Sequence, residues 1–112
     1  MTREFRRGDI FWVELDPARG SEMTKTRPCI ILSANEVNQR RRTVVIIPLT
    51  STVEQAHFPL LIETPSAGKS SKMRTEQIRV VDKGRLKGFM GRVNDNDLSS
   101  ISRGVAKVLA LA

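Results

Sequence analysis

Residues 7–32 read RGDIFWVELDPARGSEMTKTRPCIIL, two short apolar runs on either side of a polar, glycine-containing loop. The first run, residues 9–15, is apolar on both faces of an extended chain, which predicts a strand buried on most of both sides. Asp16-Pro17 ends this strand, and residues 16–25 form a loop longer than a hairpin needs; loops of that kind are often functional. The second run, residues 28–33, predicts a second strand.

The chain beyond these two strands continues mainly as β structure. Residues 34–42 are polar and have room for one helical turn. Further strands are predicted where apolar and β-branched residues cluster between turn signals, at residues 43–50, 58–63, 73–82 and 89–93. Pro48, near the end of the third strand, predicts an edge or a bulge there, because proline cannot donate to a sheet ladder.

The last part of the chain has a helical pattern. One apolar stripe at helical spacing is formed by Leu98, Ile101, Val105, Val108 and Leu109. Asn94 and Asp97 resemble a capping pair at its start. Gly104 inside the helix costs about 1 kcal/mol relative to alanine, so we expect it to pack closely on the sheet. Five or six strands and one terminal helix predict a mainly β fold with a C-terminal helix, a partly open small β-barrel.

The bulk composition limits the function classes. The 112 residues are 39% hydrophobic, enough for a single domain spanning residues 1–112. No stretch approaches the roughly 20 apolar residues of a membrane span, and no secretory core follows the polar N-terminus. We therefore expect a soluble, cytoplasmic protein with no membrane contact. A single cysteine, Cys29, excludes an internal disulfide and a cysteine-built zinc site, and its apolar neighbours predict a buried structural thiol.

The charge is strongly basic. Nineteen Lys and Arg against twelve Asp and Glu give a formal charge of +7, which favours a polyanionic partner. Most of the excess positive charge lies in residues 69–92, which contain eight basic and two acidic residues. A solvated, solubilising strand face would have the same composition, so the charge alone leaves both interpretations open.

A family resemblance separates these interpretations. The motifs that carry it are Arg7-Gly8-Asp9-Ile10, Trp12, Leu15-Asp16-Pro17, Gly20-Ser21-Glu22, Arg27-Pro28, Ile30-Ile31-Leu32, Asn38, Pro48-x-Thr50-Ser51, Glu76-Gln77-Ile78-Arg79 and Asp82. In this order and spacing, across essentially the whole chain, they resemble the MazF/PemK family of toxin ribonucleases. The resemblance implies an SH3-like barrel of the MazF/Kid/CcdB toxin type that forms a homodimer through strands and the C-terminal helix.

The resemblance also implies an activity and a partner. Family members cut single-stranded RNA at short sequences without a metal or other cofactor. The ribose 2′-hydroxyl attacks the adjacent phosphate, leaving a 2′,3′-cyclic phosphate and a 5′-hydroxyl. A cognate antitoxin with an acidic, disordered tail is expected to fold into the RNA groove, steered by the basic charge.

Matching to the family motifs assigns candidate site residues. Arg27 and Thr50 fall on the positions most strongly tied to catalysis. The positions that line the groove, bind RNA or assist are Ser21, Glu22, Arg74, Glu76, Gln77 and Arg79. An arginine fork suits two phosphate oxygens, and a hydroxyl can donate to a third. Taken without the resemblance, Arg27 reads as an ordinary surface arginine and Thr50 as a strand residue chosen for β-propensity.

Family matching does not identify the groups that transfer protons, and some loop residues of this chain differ from the family pattern. Arginine has a pKa above about 12 and is a poor acid or base, which leaves Glu22 and Glu76 as available carboxylates. Relatives usually continue Gly-Ser-Glu with Gln, a small residue and often Gly, whereas this chain has Met23, Thr24 and Lys25. Some plasmid-borne relatives carry His in place of Ser21 and Asp in place of Glu76, so a histidine-assisted reaction is not expected here.

Other readings remain open from sequence. His57 has a suitable unperturbed pKa for a general base but matches no family position. Trp12 and Phe11 could stack on bases, although first-strand aromatics more often form core or dimer contacts. No cluster has metal-ligand spacing, so no metal is expected. The alternative functions are a non-catalytic toxin of the same fold that binds a protein such as gyrase, and an RNA-binding module in which Arg27, Lys72, Arg74 and Arg79 hold phosphates.

Overall fold

The computed structural model describes residues 4–17 and 19–111; the termini and residue 18, in the predicted 16–25 loop, lie outside it. Within these residues the elements are β1 (Asp9–Glu14), β2 (Thr26–Ile31), α1 (Asn35–Arg40), β3 (Thr43–Thr50), β4 (Leu61–Glu63), β5 (Lys72–Arg74), β6 (Arg79–Asp82), β7 (Leu86–Arg92) and α2 (Asp95–Val108). The prediction of a mainly β fold with a C-terminal helix is confirmed. The predicted count of five or six strands is wrong, because the described residues form seven.

The strands form one antiparallel sheet around β3. The order is β4-β5-β3-β2-β1-β7, and β6 also pairs with β3. The first and last strands of this order, β4 and β7, are not paired with each other in the described part of the chain, so the barrel stays open. The partly open barrel predicted from the sequence is therefore confirmed.

The predicted strand at residues 73–82 is interrupted, which accounts for the extra strand. A 3₁₀ turn, Thr75–Gln77, separates β5 from β6. The end of β3 pairs with β5 through Leu49 and Thr50, whereas the first half of β3 pairs with β6. Pro48 lies where this side of β3 changes partner, so its missing N–H interrupts no ladder. The sequence predicts an edge or a bulge at Pro48: the edge is wrong, because β2 and these two strands flank β3, and the described ladders of β3 contain no register shift.

The terminal helix begins and packs as its sequence predicts. The Asn94 side chain accepts a hydrogen bond from the Asp97 amide at 2.8 Å. The Asp97 carboxylate in turn accepts from the Ser66 amide at 2.8 Å, which ties the helix to the loop after β4. A Cβ on Gly104 would lie 2.4 Å from Ile62 Cδ1, so the expected close approach to the sheet is confirmed. Leu109, predicted to belong to the apolar stripe, lies beyond the helix and is exposed.

Two hydrophobic cores lie on opposite faces of the sheet. The helix-side core lies between the sheet and α2 and consists of Ile10, Ile30, Leu32, Ile47, Leu49, Met73, Val93, Ile101 and Val105. The barrel core lies on the other face and consists of Phe11, Val13, Leu15, Cys29, Ile31, Val44, Ile46 and Val81. Alternation along each strand therefore decides whether a side chain faces the helix or the barrel interior.

Candidate active site

Arg27 lies at the start of β2, on the barrel face of the sheet. It is paired with Val13 of β1, and Val13 belongs to the barrel core. Paired residues in a ladder point to the same face, so Arg27 points to the barrel side, where its half-buried side chain reaches the rim. Its Nε donates to the Thr24 carbonyl at 2.9 Å, which fixes the guanidinium plane against the loop. The Nη groups are not needed for that bond and can bind an anion.

Thr50 lies next to Arg27 in the register of the sheet. The pairing of β2 with β3 joins Ile31 to Ile46 and Cys29 to Pro48. The same register, extended by two residues, sets Arg27 opposite Thr50. Both residues then lie at the same end of the barrel face. The Thr50 hydroxyl oxygen accepts from the Thr52 amide at 3.3 Å, which orients the oxygen while leaving its hydrogen free to donate elsewhere.

Lys72 lies beside Thr50, on the other side of β3. The two are paired residues in the β3–β5 ladder, so they point to the same face. Lys72 Nζ donates to the Thr52 carbonyl at 3.0 Å and keeps two further hydrogens. Family matching does not place Lys72 among the site residues, although the RNA-binding alternative includes it. The alternation of Lys72 and Arg74 around Met73 indicates that both cations lie on the same face of a strand. The position of Lys72 beside Thr50 depends on the pairing of β5 with β3, which the sequence does not reveal.

Arg79 brings a second guanidinium to the barrel face. It is paired with Ile46 of the barrel core, and its Nη1 donates to the Leu15 carbonyl at 3.2 Å. Both Arg79 and Arg27 interact electrostatically with the Cys29 thiol, so the two guanidinium groups lie around the same buried sulfur.

The Cys29 thiol is structural. Burial raises its pKa to about 12, against the opposing influence of Arg79 and Arg27. The thiol is therefore protonated at neutral pH and is not a nucleophile. The prediction of a buried structural cysteine agrees with this environment.

The long loop before β2 is fixed at several points. The Leu15 amide donates to the Lys25 carbonyl at 2.9 Å, and the Lys25 amide donates to the Asp16 carboxylate at 3.0 Å. The Met23 amide donates to Gln77 Oε1 at 3.1 Å, which joins the loop to the 3₁₀ turn. The Met23 side chain packs against the barrel core. This departure from the family pattern therefore covers apolar surface.

The remaining predicted site residues lie farther out. Ser21 and Glu22 are exposed on the loop, and the Glu22 carboxylate accepts from the Arg19 amide at 2.5 Å. Glu76 is exposed on the turn next to Gln77. Among residues 4–17 and 19–111, no hydrogen bond or ion pair joins either glutamate to Arg27. The structure thus places Arg27, Thr50 and Arg79 on the barrel face, joins Gln77 to the loop before β2, and leaves both glutamates exposed.

Arg74 is held by a residue that sequence reasoning missed. Its Nη1 lies 4.0 Å from Glu54 Oε2, and the same oxygen lies 3.6 Å from His57 Nε2. His57 is exposed and pairs with Glu54, which gives it a surface ion-pair environment. Nothing in the local pattern of residues 51–57 signals this cluster, because it forms only when the loop after β3 meets β5.

The rim is suited to an anionic polymer. Three cationic side chains, Arg27, Lys72 and Arg79, share the face of the Thr50 hydroxyl. Among the described residues, no group of three or more His, Cys, Asp or Glu is placed to hold a metal ion. No helix in that part of the chain is long and apolar enough to cross a membrane. The cationic side chains and the hydroxyl can donate hydrogen bonds to the oxygens of an anionic group.

Comparison with known proteins shows the same fold and sequence pattern in toxins. Residues 6–109 match the family model described as PemK-like, MazF-like toxin of type II toxin-antitoxin system. The chain is 30% identical over 110 residues to the endoribonuclease MazF of Staphylococcus saprophyticus, covering 95% of this chain and 92% of the relative. It is 34% identical over 104 residues to the endoribonuclease MazF9 of Mycobacterium tuberculosis, covering 86% and 88%.

Solved structures extend the comparison to the fold. MazF from Deinococcus radiodurans superposes with a TM-score of 0.85 at 20% identity, covering 97% of this chain and 99% of that one. An endoribonuclease from a Mycobacterial species, solved in complex with its cognate antitoxin, superposes with a TM-score of 0.79 at 23% identity, covering 96% of both chains. At these identities the structures show the fold alone.

Proposed function

This chain belongs to the PemK-like, MazF-like family of toxins of type II toxin–antitoxin systems, and from that premise we propose that it is a sequence-specific endoribonuclease that cuts single-stranded RNA without a metal. Cleavage of mRNA would inhibit translation and growth. The two curated relatives are endoribonucleases, which supports the activity. The whole chain, residues 1–112, would act as one toxin domain in the cytoplasm, where its RNA substrate is.

The observation that carries this proposal is the β2–β3 register, which, extended by two residues beyond the Cys29–Pro48 pair, sets Arg27 opposite Thr50 at one end of the barrel face. The β2–β3 register brings the guanidinium and the hydroxyl to adjacent strands on the same face. Fixed donors aimed at a phosphodiester stabilise the negative charge that grows on its oxygens during displacement. Lys72 and Arg79 add positive charge to the same surface.

The reaction supported by these groups is an internal transfer. The 2′-oxygen forms a bond to the neighbouring phosphorus, and the bond from phosphorus to the 5′-oxygen of the next nucleotide breaks. The 2′-proton passes to a base, and a proton reaches the leaving 5′-oxygen. Arg27 and Thr50 would hold the non-bridging oxygens throughout. Between the two carboxylates, Glu76 is the freer candidate base, because Glu22 already accepts from the Arg19 amide.

The partners follow from the same surface. We infer a homodimer and a cognate antitoxin whose acidic, disordered tail folds onto the basic rim. The formal charge of +7 favours such a tail, and a structural neighbour was solved with its antitoxin. A non-catalytic toxin that binds gyrase is not favoured, because the curated relatives of this chain are endoribonucleases.

The test is a cleavage assay that reads the chemistry. The purified protein is incubated with long single-stranded RNA in excess EDTA, and the cut ends are sequenced and analysed for 2′,3′-cyclic phosphate. We expect cleavage in EDTA at one short sequence. A second RNA with a single 2′-deoxy substitution at the mapped nucleotide should resist cleavage, because the attacking hydroxyl is gone. Cleavage that requires a divalent metal, or that continues at the deoxy position, would refute the mechanism.

A further inference from the structure

A second basic cleft lies at the opposite end of β3 from Thr50. It is formed where the end of α1 meets the turn after β6 and encloses about 490 Å³. Its lining consists of Gln39, Arg40, Arg41, Arg42, Asp82 and Lys83. Four of these six side chains are cationic and one is anionic, so the cleft is a concave, positively charged surface.

The positive charge of the cleft is only partly neutralised by the protein. Arg40 pairs with Glu36 at 3.5 Å, and the Asp82 carboxylate accepts from the Gly84 amide at 2.7 Å. Within the described residues, no carboxylate lies at ion-pair distance from Arg41 or Arg42, and both are exposed. Adjacent unpaired arginines repel each other, and a surface selected for solubility alone intersperses both signs.

Lys83, on one wall of the cleft, is held in place by its contacts. Its Nζ donates to the Asn38 carbonyl and lies 5.6 Å from the centre of the Phe5 ring. Its amide donates to the Arg42 carbonyl at 2.8 Å. These contacts fix Lys83 against α1, the Phe5 ring and the backbone of Arg42. This wall of the cleft is therefore held by contacts between separate parts of the fold.

Two further basic side chains, Arg85 and Arg79, lie outside the cleft and bind the backbone at the end of β1. Arg85, two residues after Lys83, donates to the Glu14 carbonyl at 3.1 Å. Arg79 donates to the next carbonyl, that of Leu15. Both guanidinium groups therefore contact the backbone at the end of β1. Along β3, Thr43 and Thr50 are separated by about 23 Å, at about 3.3 Å per residue.

We propose that this cleft, with Arg41 and Arg42, is a second nucleic-acid contact that binds backbone phosphates of the RNA outside the cleaved sequence. The proposal rests on the proposed function, because only a polymeric substrate held at Thr50 would extend to a surface about 23 Å away. Contacts to phosphates carry no sequence information, so the cleft would raise affinity for long RNA without changing the recognised bases. A protein partner is less well matched, because the lining offers no apolar anchor.

The test measures binding without cleavage. A fluorescein-labelled pool of random 30-nucleotide 2′-deoxy strands is titrated by fluorescence anisotropy at several salt concentrations. The variant is the double substitution Arg41→Gln and Arg42→Gln, and the matched control is Arg103→Gln and Lys107→Gln, which removes the same charge from α2. Each lost phosphate contact lowers the slope of log affinity against log salt by about 0.7 for single strands. We therefore expect the cleft variant to lose about 1.4 from this slope, and the α2 control to lose none.

A charge-preserving variant separates binding from folding. Arg41→Lys with Arg42→Lys should keep most of the slope, because an ammonium also binds phosphate. An unchanged slope in the glutamine variant, or an equal loss in the α2 control, would overturn the proposal. Loss of affinity for a polyglutamate peptide alone would assign the cleft to an acidic protein segment instead. The cleavage assay tests the proposed function separately, so a wild-type protein that cuts no RNA removes that function, while the salt slope of the glutamine variant alone decides whether the cleft binds phosphates.

Discussion

The two faces of the sheet differ in what covers them. One face is covered by α2, whose buried Ile101, Gly104 and Val105 lie on one side of the helix. The other face turns inward as the barrel core, and at its open rim the apolar residues are followed by Arg27, Arg79 and Thr50. The helix-side core contributes stability through burial, whereas the rim of the barrel core carries the polar groups. Both cores contribute stability through burial, but only the barrel core ends at a polar rim, where we propose that the chemistry takes place.

The largest expected effect concerns the helix-side core alone. Ile101 is completely buried there, and Ile101→Ala should lower the free energy of unfolding by about 2–5 kcal/mol, because it removes buried methylene groups and leaves a cavity. Chemical denaturation would measure the loss. The exposed Val37→Ala on α1 is the control and should change stability by less than about 0.5 kcal/mol. A stable Ile101→Ala protein would mean that α2 is not needed to complete the fold.

Substitution of Arg27 tests whether the rim of the barrel core is the active site. Arg27→Ala should lower the single-turnover cleavage rate by roughly 10²–10³-fold, the range found when one oxyanion donor is removed, with little change in stability. Arg27→Lys should restore only part of the rate, because an ammonium lacks the planar fork. Arg103→Ala on α2 removes an equal charge and should cut RNA normally. If Arg27→Ala cut as fast as Arg103→Ala, the rim would not be the active site.

Thr50 should show a smaller effect of the same kind. Thr50→Val preserves the shape of the side chain but removes the hydroxyl, and a hydrogen bond to a charged group contributes about 1.5–3 kcal/mol. We expect the cleavage rate to fall by roughly 10- to 100-fold, measured under the same single-turnover conditions. Thr50→Ser keeps the hydroxyl and should recover most of the rate. A valine variant that cuts at the wild-type rate, with the loss confined to the serine variant, would point to packing by the methyl group instead.

The same contrast explains what the sequence could predict. Residues 9–15, residues 43–50 and the helix after Asn94 were predictable, because strand and helix periods are local patterns. The break at Thr75–Gln77 was not predicted, because the polar stretch of residues 74–77 is also compatible with the exposed part of one continuous strand. The break occurs because the first half of β3 pairs with β6 and the end of β3 pairs with β5.

The residues of the candidate site stay predictions, and only part of their arrangement follows from the sequence. Family matching named Arg27 and Thr50, but no local pattern places Lys72 beside Thr50 or Glu54 beside Arg74. These contacts depend on strand register and on where a loop returns to the sheet, which are non-local properties. The role of Met23 was missed for the same reason: its contact with the barrel core exists only after the 16–25 loop has folded back.

Gln77 provides the smallest and most discriminating test of how the rim is assembled. Its side-chain oxygen accepts from the Met23 amide, so Gln77→Ala should release the loop, raise KM several-fold and cost about 1 kcal/mol of stability. Gln77→Glu keeps an acceptor at that position but removes the amide donor. If Gln77 acts by holding the loop, hydrogen exchange at the Met23 amide should stay slow in the glutamate variant and become fast in the alanine variant. If it acts by donating to RNA, both variants should lose affinity while only the alanine variant loses protection, so the two measurements together separate a positioning role from a binding role.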